Sequence, residues 1–291
     1  MNKNQFKEKI KDRGTIIRYA TVLLSIVILV FVLAKVIATE NEKNRADVID
    51  FGDIRNAVEA SLDDMNITED EARQVKILDF SEAPIFLPDF ESLSCFENVE
   101  SIIIEDSTIN SFKGIEQFDK LSEIRIKNTR IDDISDLRDL DITYLSIDRC
   151  GVSGELDLGE MPQLLALDLS NNYLTSIRGD FPVLKNYKAA NNEIETLDSM
   201  DIPQSTEILN IADNPIDDLD GIEKLDNINK LNVFHTNIDD FSALKGMENL
   251  NALYIDEDDM SDDLEYLYED FRNGDNPRKA EYLRRYYKIE E

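Results

Sequence analysis

The stretch Leu164-Leu165-Ala166-Leu167-Asp168-Leu169-Ser170-Asn171-Asn172-Tyr173-Leu174 decides how this chain is read. Leu167 and Leu169 are two apart, so in an extended strand both face one side and Asp168 faces the other. Three residues past Leu169 stands Asn172, where the chain must turn. A side-chain amide there can satisfy backbone groups that the turn would otherwise bury unpaired. Leu164 and Leu174 bring the flanking segments back to the apolar side. One such unit is too small to bury its own leucines, so its meaning depends on whether it recurs.

It recurs along most of the chain. The frame L-x-x-L-x-L-x-x-N-x-I begins at Val75/Leu78/Phe80/Ala83/Ile85 and ends at Leu250/Leu253/Ile255/Asp258/Met260, with seven copies between them. From Ser107 onward the asparagine slot returns at spacings of 22, 21, 22, 20, 22, 22 and 22 residues. A fixed period of this length marks a stacked array in which each turn buries the apolar face of its neighbour. The expected fold is an α/β leucine-rich repeat solenoid of about nine turns of ~22 residues, with a parallel β-sheet on its concave face. Helical caps are expected at both ends of the array, and one transmembrane helix ahead of it.

Composition removes many functions. The 291 residues hold 31 Lys+Arg, 62 Asp+Glu, one His and two Cys, a formal net charge of −31. Such a charge repels phosphate backbones, so no nucleic-acid partner is expected. One His and two Cys do not make the usual zinc ligand sets, and neither a metal nor a cofactor is expected.

The N-terminal part reads as a membrane address. Residues 20–34 carry no charge, and residues 16–38 reach the length of a bilayer span if Arg18 and Lys35 snorkel. Residues 1–38 hold seven basic and two acidic groups, net +5, which leaves 24 basic and 60 acidic groups, net −36, for the rest. The basic flank places the N-terminus in the cytoplasm and the repeats outside, as a single-pass protein of the cell membrane. A signal peptide cleaved after Ala38 is the alternative, and it would make the protein secreted. The expected boundaries are a cytoplasmic basic segment at 1–19, the transmembrane helix or signal anchor at 20–38 and a linker at 39–48. A helical N-cap at 49–74, the repeats at 75–260 and a helical C-cap at 261–291 follow.

Turns such as 214–225 (Asn-Pro-Ile-Asp-Asp-Leu-Asp-Gly-Ile-Glu-Lys-Leu) and 236–247 (Thr-Asn-Ile-Asp-Asp-Phe-Ser-Ala-Leu-Lys-Gly-Met) resemble the repeats of bacterial internalin-type proteins. The segment ahead is similar to their N-terminal cap. It has Phe51 and Asp53, a helix through Ile54, Ala57, Val58 and Leu62, and a Thr68/Glu71 capping box for a second short helix. The resemblance covers about residues 50–260 and departs at asparagine slots filled by Ala83, Ser107, Thr129, Cys150, Thr236 and Asp258. It implies a surface-displayed bacterial protein that binds another protein without catalysis. No LPxTG sorting motif occurs near the C-terminus, so wall attachment in the internalin manner is not expected. Past the repeats, Leu264, Leu267, Tyr268 and Phe271 share one helical face, and a basic run (Arg278, Lys279, Arg284, Arg285, Lys288) follows.

No residue set points to catalysis. His235, the lone histidine, falls at a strand position facing solvent and has no nucleophile paired with it by sequence. Cys95 and Cys150 lie three turns apart, roughly 14 Å at the strand spacing, too far for a disulfide. The pairs Asp132/Asp133, Asp217/Asp218 and Asp239/Asp240 all start three residues after the slot, which suits capping of turns. Asp256-Glu257-Asp258-Asp259 is the best calcium candidate, without EF-hand spacing.

The outward strand positions remain. From residue 99 on they carry six basic and ten acidic groups, far less acidic than the rest of the exported part. Arg125, Lys127, Arg149, Lys185 and Lys188 gather in the middle turns with Tyr144, and Phe234, His235 and Tyr254 lie towards the C-terminal end. Aromatic residues beside arginine are the types that anchor protein interfaces. These nine are the expected partner-binding residues of the concave face. The partner is either an envelope protein in a complex of the same membrane or a foreign surface protein bound as an adhesin binds.

Overall fold

The structure, a computed structural model, describes residues 69–81 and 84–255. The expected membrane segment, Thr68 of the expected capping box, the acidic run at 256–259 and the C-cap lie outside them. Among the described residues no helix is long and apolar enough to cross a membrane.

After a short helix α1 (Glu69–Ala72) the strands in chain order are β1 (Ile77–Phe80), β2 (Phe86–Leu87), β3 (Ser101–Glu105), β4 (Thr108–Ile109), β5 (Glu123–Lys127), β6 (Arg130–Ile131) and β7 (Tyr144–Asp148). They continue as β8 (Ser153–Glu160), β9 (Ala166–Asp168), β10 (Tyr173–Asp180), β11 (Asn186–Lys188), β12 (Ile208–Asn210), β13 (Lys230–Asn232) and β14 (Ala252–Tyr254). Nine of them, β1-β3-β5-β7-β9-β11-β12-β13-β14, pair side by side in one parallel sheet. Their register aligns Leu78, Ile102, Ile124, Leu145, Leu167, Tyr187, Leu209, Leu231 and Leu253 into one row. Every member of that row is buried. The row is the second leucine of the repeat frame, so the sheet and the core come from the same periodicity. The leucine-rich repeat solenoid is therefore present as a stack of turns with a parallel sheet on one face.

Behind each strand the slot residue closes the turn. Asn192 Nδ2 donates to the carbonyls of Leu169 and Ala189, and its Oδ1 accepts the Leu174 N–H at 3.0 Å. Asn214 Nδ2 donates to the Ala189, Ile211 and Ala212 carbonyls, and its Oδ1 accepts the Ile194 N–H. At Ser107 and Thr129 a hydroxyl takes over part of the task. Ser107 Oγ donates to the Glu105 carbonyl and accepts the Ile85 N–H, and Thr129 Oγ1 does the same between Lys127 and Ser107.

The opposite, convex side differs from the α/β expectation. Apart from α1, the helical structure of the described residues there is confined to 3-10 turns: Glu91–Leu93, Ile115–Gln117, Ser135–Leu137, Leu197–Ser199, Ile222–Lys224 and Ser242–Leu244. In these repeats the arc is closed by a three-residue 3-10 turn in place of an α-helix. The acid pairs start these turns as expected. Asp133 Oδ1 accepts the Ser135 N–H at 2.9 Å, Asp218 the Asp220 N–H at 3.0 Å and Asp240 the Ser242 N–H at 2.8 Å. Those bonds hold the Asp133 and Asp240 carboxyls below the ordinary carboxylate range.

In two middle repeats the convex arc is extended instead. There β8 and β10 pair as a two-stranded parallel sheet with register shifts, and Leu156, Leu158, Leu174 and Ile177 point into the core. Phenylalanines fill the interior elsewhere: Phe90 stacks on Phe112 at 5.4 Å between centroids and meets Phe118 edge-on at 6.5 Å.

Candidate binding face

Because β-strand side chains alternate, every outward position of the nine-stranded sheet falls on one concave surface. The register defines its rows. One runs Ser101, Glu123, Tyr144, Ala166, Asn186, Ile208, Lys230, and the next runs Ile103, Arg125, Ser146, Asp168, Lys188, Asn210, Asn232, Tyr254. Of the nine expected residues, Arg125, Lys127, Tyr144, Lys188 and Tyr254 lie in the strands. The other four flank them. Lys185 precedes β11, Arg149 follows β7, and Phe234 and His235 follow β13. His235 is thus not at a strand position: it is exposed, but at φ 55° it forms a corner.

The basic residues do not make an open cationic patch. Arg125 Nε and Nη2 hold Glu123 Oε1 at 2.6 and 2.5 Å, and its guanidinium lies over the Tyr144 ring, 4.7 Å from the centroid. Ser101 Oγ donates to the other Glu123 oxygen at 3.1 Å, so this carboxylate is engaged on both sides. Lys127 lies 3.9 Å from Glu105, Lys185 2.7 Å from Glu207 and Lys188 3.3 Å from Asp168. Four of the six concave cations are therefore neutralised within the face, leaving Arg149 and Lys230 without an ion pair among the described residues. Exposed pairs of this kind contribute little to stability, but they cancel the local field.

The aromatic residues form a second group. The rings of Phe234 and His235 lie 3.9 Å apart, tilted by 39°, and His235 Nδ1 is 2.9 Å from Asp213 Oδ1. Six strand steps separate β5 from β14, roughly 29 Å at the usual spacing. The sheet thus places Arg125 and Tyr254 on one surface, not in one pocket.

Two features escape a tally of charges. From β9 to β14 the small and amide residues Ala166, Asn186, Asn210 and Asn232, with Ser170 and Ala190 just past their strands, stand among the charged Asp168, Lys188 and Lys230. Asn210 Oδ1 accepts the Ala212 N–H at 3.3 Å and Asn232 Oδ1 the Phe234 N–H at 3.2 Å, so each amide is tied to the backbone where its strand ends. Secondly, the residue before each slot is left-handed: Asp106, Asn128, Arg149, Asn171, Asn191, Asp213 and His235 have φ between 47° and 61°. The 20–22-residue spacing is visible in the sequence, whereas the left-handed backbone at each copy is not.

The acid pairs are engaged as turn acceptors, and among the described residues no three His, Cys, Asp or Glu side chains group to hold a metal ion. Cys95 and Cys150 are both reduced thiols, Cys150 buried in its slot. Burial pushes the Cys150 thiol up to about 11, which opposes reactivity.

No protein-family model and no curated protein sequence matches this chain. Solved structures do. Internalin C2 from Listeria monocytogenes superposes with a TM-score of 0.55 at 16% identity, over 74% of this chain and all of that one. The functional domain of InlJ, also from Listeria monocytogenes, matches 70% of this chain and 59% of its own at 15% identity, with a TM-score of 0.31. A Leptospira interrogans leucine-rich repeat protein matches 59% and 63% at 16% identity, with a TM-score of 0.26. The first of these carries the comparison: the described chain shares the internalin-like leucine-rich repeat fold.

Proposed function

We propose that this chain is a non-catalytic protein-binding protein whose concave sheet is the binding surface. The observation that carries this reading is the state of that face. In a chain of net charge −31 four of its six cations are matched by carboxylates of the same face, and small, amide and aromatic residues stand among these pairs in its C-terminal half. Depletion of unpaired charge with aromatic residues present is the composition of an interface centre. Nine strands span about 40 Å, enough for an interface of standard size. Residues 20–38 anchor the protein in the cell membrane with the solenoid outside, where it serves as a subunit of an envelope complex.

The test uses the full chain as crosslinking bait, offered membrane extract of the producing cell and, separately, intact foreign cells. Two bait variants accompany it. Ser146→Arg with Ala190→Arg obstructs the concave face without removing a core side chain. Glu155→Arg alters only the convex strand β8. Capture of an envelope protein that the concave variant loses and the convex one keeps supports the reading. Concave-dependent capture of foreign surface protein alone would make the protein an adhesin. Capture indifferent to the concave variant would remove the face altogether.

A further inference from the structure

We propose that Arg149 sets the specificity of the concave face by taking a carboxylate of the protein partner. The proposal rests on the concave face being the binding surface.

The left-handed column next to the slot is Asp106, Asn128, Arg149, Asn171, Asn191, Asp213, His235. Six of the seven are Asn, Asp or His, the side chains that adopt this backbone most readily. Arginine is disfavoured there, because its Cβ crowds the following carbonyl. The repeat, not the residue, imposes the conformation. Arg149 N donates to the Ser170 carbonyl at 3.2 Å, as Asn128 N does to Asp148, Asn171 N to Ala190 and Asp213 N to Phe234. An asparagine at 149 would make the same bond with less strain. The arginine therefore supplies something that folding does not require, and strain retained at one member of a regular series marks function.

The surroundings indicate what that is. Elsewhere the column pairs with itself: Asn128 donates to Asp106, Asn191 Nδ2 to Asn171 Oδ1 at 2.9 Å, and His235 meets Asp213. Asp148, the carboxylate adjacent in sequence to Arg149, is taken by Asn171 Nδ2 at 2.7 Å. Among the described residues the Arg149 guanidinium has no hydrogen bond or ion pair, and it is exposed at the middle of the face. Arg125 differs in being committed to Glu123. A planar guanidinium with five donors and no internal acceptor fits a carboxylate in a bidentate fork. An Asp or Glu side chain of the partner completes this position, and the neutral amide and alanine positions beside it accommodate the flanking residues.

The probe is a random twelve-residue peptide display library selected on the full chain. Selections on Arg149→Asn, Arg149→Lys and the Ser146→Arg/Ala190→Arg variant run in parallel. Peptides that need an open concave face are expected to carry Asp or Glu at one fixed position. They should bind Arg149→Asn about tenfold or more weakly, with Arg149→Lys intermediate because it keeps the charge without the fork. Arg149→Asn should melt no lower than the parent, so lost binding would not be lost folding. Face-dependent peptides with no fixed acidic position, or equal binding by Arg149→Asn, would overturn the proposal and leave the concave face standing. Failure to recover any face-dependent peptide would overturn the face reading and this proposal with it.

Discussion

Cys150 and Asn172 are joined across one turn of the solenoid: Asn172 Oδ1 accepts the Cys150 N–H at 3.0 Å and, from the same oxygen, the Val152 N–H at 3.2 Å. Its Nδ2 donates to the carbonyls of Ile147, Leu169 and Ser170. One side chain thus serves five backbone groups, most of them buried. Asn172→Ala should cost about 3–5 kcal/mol, since several buried groups lose their partners at once. Asn172→Thr should cost clearly less, because threonine already fills the slot at 129. Denaturant unfolding of the two variants checks this, and equal losses would show that the amide geometry is not what closes the turn.

Arg149→Asn is expected to raise stability by about 1 kcal/mol, the relief of left-handed strain at a non-Asx residue. Reduced binding together with raised stability would be the opposition of function to stability that strained sites display. A lowered midpoint would mean that the arginine stem is held by packing, and the argument from strain would fail.

Tyr187 occupies a leucine position in the central row and is fully buried, with its ring edge-on to Phe181 at 6.3 Å. Its hydroxyl has no hydrogen-bond partner among the described residues, and burial pushes its phenol well above the ordinary value of 10. Tyr187→Phe should therefore stabilise the array by about 1 kcal/mol, by removing an unpaired buried hydroxyl. Destabilisation by a similar amount would reveal a partner for the hydroxyl.

Leu167, Leu169 and Asn172 were legible in sequence because the strand period and the slot act locally and recur nine times. The stack of parallel strands followed from them, since no single turn can bury its own leucines. The convex side was not legible. Ser135–Leu137 and Ser153–Glu160 occupy equivalent arcs, yet one is a 3-10 turn and the other a strand that exists because β10 lies beside it. Pairing between neighbouring repeats decides that, and no short window reports it. The binding face was legible as a list of outward positions and not as electrostatics, because the pairing of Lys185 with Glu207 reaches across 22 residues.

Gly114 and Gly221 both precede a 3-10 turn with left-handed backbone, at φ 87° and 91°. A Cβ at Gly221 would meet nothing nearer than the Lys224 ammonium at 3.9 Å, whereas at Gly114 it would lie 2.6 Å from the Glu91 nitrogen. Gly221→Ala should cost about 1 kcal/mol, the backbone strain alone. Gly114→Ala should cost distinctly more, because backbone atoms of the preceding repeat have to move. Equal midpoint shifts would place the whole effect in the backbone conformation.

The Cys150 thiol supplies a pH dependence with a definite sign. Its ordinary value of 9.0 rises to about 11 in the folded chain, first through burial and then through the nearby Asp148 carboxylate, against a hydrogen bond at Thr129. Below pH 9 the thiol is protonated in both states, and whatever the site contributes is fully present. Between pH 9 and 11 the unfolded chain releases the proton while the folded one retains it, so stability falls as pH rises. The loss approaches on the order of 2–3 kcal/mol at the upper end. Lysines and tyrosines titrate in the same range, so the quantity to measure is the difference between the parent and Cys150→Thr, at pH 8, 9 and 10. A gap that shifts steadily in favour of the threonine variant is expected. A constant gap would mean that the folded thiol ionises as readily as the unfolded one, with water reaching the slot.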